Sequence, residues 1–226
     1  MYRQRVDEHG FAVIPGIFEE DRVMLLAENL ALANLRRSRA GVRHALGHAA
    51  VASLASDPQL LEVARRILGL GAYPFRATMF EKTTNANWLV VWHQDTALPL
   101  RCRQETPGWG PWSVKEGVIY AHAPASALSQ VLALRVHLDD STSQNGPLRV
   151  LPATHTLGVL TDDAIHQLAQ DVAPVECWVP RGGIVAMRPL VVHSSSKSQS
   201  ESARRVLHIE YAAHTSVAEG LELAVA

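Results

Sequence analysis

Apolar positions recur along this chain with two periods, and the period changes once. Up to about residue 70 the spacing is helical. From Glu19 to about Arg37, the residues Val23, Leu26, Leu30 and Ala33 share one face, which predicts an amphipathic helix. A second helix is expected to open at Asp57-Pro58, since Asp caps a helix N-terminus well and Pro suits the first helical position. Its stripe is Leu60, Leu61, Ala64, Ile67 and Leu68, and Gly69 stands where it should stop. A short strand over Phe11-Ala12-Val13-Ile14-Pro15 precedes both helices.

After Gly71 the spacing is that of strands. Apolar runs at about 73–82, 88–93, 130–139, 147–151, 174–179, 184–188 and 204–212 are divided by turn signals such as Asn145-Gly146-Pro147 and Arg181-Gly182-Gly183. One short helix, about Thr161 to Gln170, interrupts them. The stretch from about 97 to 129, with Trp109, Trp112 and several prolines, has little pattern and reads as a long functional loop or lid. Helices followed by antiparallel strands predict an α+β fold. The strands would form a double-sheet jelly roll (a double-stranded β-helix), with the N-terminal helices packed on one sheet. No repeat and no linker-like stretch divides the sequence, so residues 1–226 are expected to form a single domain.

Composition narrows the function classes. A formal net charge of −1 with no basic patch gives no reason to expect nucleic acid or an anionic membrane surface as a partner. No run of about 18 apolar residues exists, and the opening MYRQRVDEHGFAVIPG lacks the apolar stretch of a signal peptide. Cys102 and Cys177 are too few for a disulfide framework. A soluble, cytoplasmic protein acting on a small molecule is the expectation. Nothing in the sequence bears on oligomeric state.

The chemistry lies in the histidines. Most of the 11 would sit on surfaces or in satisfied core positions, so metal or acid–base work needs a specific constellation. In Trp92-His93-Gln94-Asp95, residues i and i+2 of an extended chain point to the same side. His93 and Asp95 can therefore offer an imidazole nitrogen and a carboxylate oxygen to one metal. Two such histidines and one carboxylate make the facial triad of non-haem iron(II) oxygenases, which leaves the opposite coordination face open. The pattern is weak alone. His137-Leu138-Asp139 repeats it and alternates correctly, and it reads equally as a half-buried strand histidine near a turn.

A further histidine follows an apolar run at Val191-Val192-His193-Ser194-Ser195-Ser196. A polar loop then leads to Arg204 and Arg205. A guanidinium fork matches a carboxylate such as that of a dicarboxylate cosubstrate, although both could be solvated strand-edge charges. Alternation does not choose between them if a helix-covered sheet has two apolar faces.

Taken together, His93-x-Asp95, the distant His193 and Arg204 eleven positions later resemble the phytanoyl-CoA dioxygenase family. The likeness runs over roughly residues 7 to 212. It includes His9-Gly10-Phe11-Ala12-Val13-Ile14-Pro15-Gly16, Phe80-Glu81-Lys82, Leu138-Asp139-Asp140, Asn145-Gly146-Pro147-Leu148 and Leu151-Pro152-Ala153-Thr154-His155. In the last segment Ala153 stands where the family usually has Gly, and Thr154 where it has Ser.

The resemblance implies that His93, Asp95 and His193 hold Fe(II) and are the catalytic centre. It implies that 2-oxoglutarate is a cosubstrate alongside O2, with its far carboxylate on Arg204 and Ser195. Arg135 and Thr78 fall near further cosubstrate contacts, His155 reads as structural, and Gln94, Trp112 and His137 are expected at the substrate pocket. Lys115 and His122, in the loop with Trp109 and Trp112, are also expected to shape that pocket. The implied reaction is hydroxylation of a small-molecule metabolite with release of succinate and carbon dioxide. Halogenating relatives lack the carboxylate that Asp95 provides. Two rival readings are a cupin-like metalloenzyme that needs no cosubstrate, and a catalytically silent jelly roll that binds a small molecule.

Overall fold

The computed structural model describes every residue except 34, 36, 38–40, 84 and 85. The helical half contains α1 (Tyr2–His9), α2 (Glu20–Leu32), α3 (Ala49–Ala55) and α4 (Pro58–Leu68), with strand β1 (Phe11–Ile14) between the first two. Helix α4 starts as expected: Asp57 accepts from the Gln59 amide at 2.8 Å, and Gly69 closes the helix with φ 104°. Helix α2 is shorter than the spacing implied. Leu32 is exposed and Ala33 is already extended, so the amphipathic period outlasts the helix. The remainder of that expected helix includes residues 34 and 36, which lie outside the described residues.

The β half follows in the order β2 (Tyr73–Lys82), β3 (Val90–His93), β4 (Ala97–Leu100), β5 (Trp112–Lys115) and β6 (Val118–His122). Next come a short helix α5 (Ala125–Leu128), β7 (Val131–His137), β8 (Leu148–Val150), helix α6 (Asp162–Asp171) and β9 (Val175–Cys177). The chain ends with β10 (Ile184–Met187), β11 (His193–Ser195), β12 (Arg204–Ala212), β13 (Ser216–Ala218) and β14 (Leu221–Glu222). Two antiparallel sheets make the jelly roll. The major sheet has the order β1-β10-β7-β12-β2 and the minor sheet β3-β11-β8-β9. The stretch at 97–129 is not a loop. Strands β4, β6 and β5 form their own sheet there, and its apolar positions Leu98, Leu100 and Ala121 bury a separate core with Phe75, Leu128 and Leu221. Its strands are too often broken by Pro and Gly for period counting to detect.

The two faces of the major sheet differ in chemistry. The outer face carries Leu132, Leu134 and Val136 from β7, Leu207, Ile209 and Tyr211 from β12, and Ala77 and Met79 from β2. It packs on Val23, Ala27 and Leu30 of α2 and on Leu60, Val63, Ala64 and Ile67 of α4. Tyr211 anchors this contact by donating its hydroxyl to the Ala55 carbonyl at 2.8 Å. On the intervening positions the inner face carries Arg135 and His137, then Arg204, His208 and Glu210, then Lys82, all buried. A face with that much polarity in a barrel interior needs partners, since a buried charge without them is costly.

Candidate metal centre and its cavity

His93 ends β3 and His193 begins β11, and the two are direct partners in the antiparallel ladder. Their rings lie 4.2 Å apart between centroids. Asp95 follows β3, its amide donating to the Pro189 carbonyl at 2.9 Å. The carboxylate oxygens of Asp95 stand 3.7 Å from Nε2 of His93 and 3.6 Å from Nε2 of His193. The three donor atoms all lie within 4.8 Å of one another. Both rings are held alike, with His93 Nδ1 2.8 Å from the Val91 carbonyl and His193 Nδ1 2.9 Å from the Val191 carbonyl. A carbonyl only accepts, so each Nδ1 carries the proton and each Nε2 presents its lone pair.

The electrostatics favour the metal-binding form at His193 and Asp95. At His93, burial is outweighed by the Asp95 carboxylate, which raises the pKa, so a metal there displaces a more firmly held proton. Burial, and then the neighbouring His93, push His193 down to about 4, so it is a neutral donor at neutral pH. Burial alone would raise Asp95, but the His193 and His93 imidazoles hold it well below the usual carboxylate range. Two imidazoles and one ionised carboxylate converging on a point suit a divalent first-row metal such as iron.

The triad closes one end of a cavity of about 230 Å³. The other end is cationic. Arg204, Lys82 and Arg135 line it, each buried, and among its lining residues the only carboxylate is Asp95. Arg204 Nε donates to the Asn145 carbonyl at 3.2 Å and Nη2 reaches Ser195 Oγ at 3.5 Å, while Nη1 is buried without a partner. Arg135 donates from Nη1 to His208 Nδ1 at 3.0 Å and keeps a buried Nε without a partner. Burial and Arg135 push Arg204 down to about 9, with Asp139 opposing. Burial, then Arg204, Arg135 and Arg149, push Lys82 down to about 7. Unsatisfied guanidinium nitrogens crowding like charges in one pocket are the partners an anion supplies.

Several expectations change here. Arg205 is no strand-edge charge: its Nε and Nη2 fork the Asp139 carboxylate, each at 2.8 Å, on the far side of the sheet from the cavity. That ion pair also separates Asp139 from His137, so the second His-x-Asp does not converge. His137 lines neither this cavity nor the one beside it, and it is fully buried with both ring nitrogens unpartnered. Ser195 is committed elsewhere, its hydroxyl donating to the Gly146 carbonyl at 2.8 Å and accepting from Lys82 Nζ at 2.7 Å. It fixes Lys82, which also donates to the Ser196 carbonyl.

Thr78 lines the neighbouring cavity with Arg76 and His208, and Phe80 stands between it and Arg204. Gln94 is no pocket residue. Alternation turns it away from the triad, and its amide bonds the carbonyls of Gly158 and Leu190 and the amide of Leu160. Trp112 packs on the small sheet's core instead of the pocket, opposite Ala121 in the β5–β6 ladder. Lys82 was the missed residue. Its signal was its place on the same strand face as Phe80, directly across the ladder from Arg204.

A jelly roll with two histidines and an aspartate at one end of a cation-lined interior defines a class of metal-binding barrel. Within it the chain belongs to the phytanoyl-CoA dioxygenase (PhyH) family, whose model matches residues 6–206. It is 28% identical over 188 residues to an L-proline trans-4-hydroxylase of Streptomyces griseoviridis, covering 71% of this chain and 62% of that protein. The chain thus spans less than two thirds of that curated relative. Among solved structures it resembles AviO1 from Streptomyces viridochromogenes, with TM-score 0.68, 21% identity and 93% of each chain covered. It also resembles the epimerase SnoN, solved with Fe3+, alpha-ketoglutarate and nogalamycin RO, with TM-score 0.72 and 20% identity over 95% of this chain and 83% of that one. Those two likenesses establish the fold.

Proposed function

We propose that the protein is an Fe(II)- and 2-oxoglutarate-dependent dioxygenase that hydroxylates a small-molecule metabolite. The observation that carries this reading is the pairing of two ends in one cavity. The triad of His93, Asp95 and His193 stands at one end, and Arg204 and Lys82, with an unpartnered guanidinium nitrogen, stand at the other. A binding module has no need of the first, and a metalloenzyme without cosubstrate has no need of the second. Iron bound with 2-oxoglutarate and oxygen supplies the oxidising power for hydroxylation, with succinate and carbon dioxide as the other products.

The chain's own residues do the rest. His93 and His193 offer Nε2 lone pairs because the Val91 and Val191 carbonyls hold their Nδ1 protons. Asp95 adds the negative charge that a divalent ion requires. Arg204 and Lys82 take the far carboxylate of 2-oxoglutarate, and Ser195 positions Lys82 to do so. Burial of this arm excludes water and strengthens each of those interactions. The hydroxylase activity of the curated relative supports hydroxylation as the outcome.

The test is anaerobic titration of 2-oxoglutarate into the Fe(II)-loaded protein, following the metal-to-ligand charge-transfer absorbance, with succinate release on admitting air. Saturable binding at one equivalent is expected. Iron binding without any 2-oxoglutarate binding would remove the reading and favour a cosubstrate-free metalloenzyme.

A further inference from the structure

A second cavity, of about 170 Å³, shares Asp95 and Phe80 with the first and opens on the opposite side of them from Arg204. Three elements build it. The floor is β2 and β12, which supply Arg76, His208 and Glu210. One wall is the β5–β6 hairpin, which supplies Lys115 and Tyr120. The other is the segment before α3, which supplies Arg43 and joins β2 through the Val42–Met79 bridge. The walls are tied where His44, held at φ 53°, places its Nε2 2.9 Å from the Tyr120 hydroxyl and stacks on its ring. A non-glycine residue in the left-handed region marks a position that the surroundings over-determine, as is common at ligand clamps.

The charges do not balance. Arg76 and Glu210 form a doubly bonded ion pair, with Nη2 2.6 Å from Oε1, and the remaining Arg76 nitrogen donates to the Ala97 carbonyl at 2.8 Å. Both are thereby satisfied. His208 is neutral, because burial and then Arg135 hold it well below its usual value. Asp95 belongs to the metal in the reading above. What remains is Lys115 and Arg43. Lys115 lies with Nζ 5.0 Å from the Tyr120 ring centre and has no acidic partner among the described residues. Arg43 meets Glu116 only at 3.7 Å, in the open. Lys115 and Arg43 line the cavity, and Glu116, beside Arg43 but outside the lining, offsets one of the two, which leaves about one net positive charge at the mouth.

We propose that this second cavity receives the substrate, and that the substrate is a small monocarboxylic acid whose carboxylate is held between Lys115 and Arg43. One net positive charge matches a carboxylate and undercompensates a phosphate dianion. The placement holds the far carbon atoms of such an acid over Asp95, beside the metal. Burial and the nearby Arg76 and Arg43 already lower the Lys115 pKa, and an anion between the two cations relieves that repulsion. The inference rests on the oxygenase reading of the first cavity.

The experiment is equilibrium binding by calorimetry to the anaerobic protein loaded with Fe(II) and 2-oxoglutarate. The probes are a panel of amino acids and other small monocarboxylic acids, each beside its uncharged carboxamide and, where one exists, its phosphate-ester counterpart. At least one acid should bind, with its amide weaker by roughly tenfold or more. Lys115→Gln and Arg43→Gln should each weaken that acid by roughly threefold to fivefold and leave the affinity for 2-oxoglutarate unchanged. Binding of amides as tightly as acids, tighter binding of phosphate esters, or no binding of any acid to protein that does bind 2-oxoglutarate overturns the inference and leaves the oxygenase reading standing. Failure of 2-oxoglutarate itself to bind removes both.

Discussion

The two faces of the major sheet come from the same strands and obey opposite rules. On β12, Leu207, Ile209 and Tyr211 turn outward into the helices, while Arg204, His208 and Glu210 turn inward. The outer face is held by area: each buried aliphatic side chain there contributes on the order of 1.5–3 kcal/mol by leaving water. The inner face gains little in that way and pays for burying charge. Its Glu210–Arg76 pair is matched, and its Arg204, Lys82 and Arg135 group is not. One face makes the sheet stable, and the other makes it useful at some expense in stability.

That division can be broken or sharpened by mutation. The largest effect belongs to the triad. His93→Ala, Asp95→Ala and His193→Ala should each lower Fe(II) affinity by more than about 100-fold, judging from what loss of mere supporting contacts does. His137→Ala, inward like the triad and fully buried, should retain a full equivalent of iron after desalting. Iron lost from the His137 variant and kept by the His193 variant would mean the wrong His-x-Asp had been chosen.

The adjacent arginines come next. Removing one partner of a buried charged pair costs about 2–5 kcal/mol, so Arg204→Ala should raise the Kd for 2-oxoglutarate by about 30- to 4,000-fold. Arg205→Ala should leave that Kd within about twofold and instead lower the melting temperature, because it removes the guanidinium fork from Asp139 and leaves that carboxylate only the backbone amide of residue 205 and the more distant Arg181. The reverse pattern would exchange their roles. On the outer face, Leu207→Ala should cost about 2–5 kcal/mol in chemical denaturation without moving 2-oxoglutarate affinity. A cosubstrate effect there would show that the faces are not independent.

Lys82 supplies a pH signature. Its folded pKa falls from the usual 10.5 to about 7, so between those values the unfolded chain binds more protons than the folded one. The destabilising contribution is full below about 7 and shrinks as pH rises towards 10.5. Lys82→Met should therefore raise the melting temperature most below pH 7, and the gain should fade on the alkaline side. A gain independent of pH would show that Lys82 keeps its ordinary pKa in the folded state. The smallest effect is expected at Thr78. Because it lines the neighbouring cavity, Thr78→Val should keep 2-oxoglutarate affinity within about twofold, and a loss comparable to that of Arg204→Ala would restore it to the cosubstrate arm.

Much of this was legible before any coordinates. The long strands and helix α4 carry clean periods and strong caps, and β2 and β12 coincide with the apolar runs at 73–82 and 204–212. The triad was legible as a pattern only when His193 and Arg204 were added to His93-x-Asp95. The choice between Arg204 and Arg205 was more legible than it first looks. Taking alternate positions of β12 separates Arg204, Val206, His208 and Glu210 from Arg205, Leu207, Ile209 and Tyr211. The assumption of two apolar faces concealed a polar one. What local pattern could not show was partnership across the sheet, namely Lys82 on Ser195, Arg205 on Asp139 and Gln94 on the loop at 158–160. Each depends on residues far apart in sequence. Strands β4, β5 and β6 escaped notice because Pro99, Gly110, Pro111 and Gly117 lie in or between them and break up any apolar period, whereas the equally short β3 and β10 lie within clean apolar runs. Ala153, where the family resemblance leads one to expect glycine, sits at φ 65° in the left-handed region that favours glycine, so the alanine there carries local strain.

The pairing of His93 with His193 across the β3–β11 ladder has one more consequence. Each ring is locked by a carbonyl two residues back on its own segment, so the direction of both donors is inherited from strand alignment and not from loops. A slip of β11 by one residue would turn His193 to the other side of the sheet and bring Ser194 into its place. No partly competent centre lies between those two states. Iron uptake therefore acts as an assay for correctly assembled barrels: in a mixed preparation, metal per chain counts the molecules whose minor sheet has zipped in the native frame.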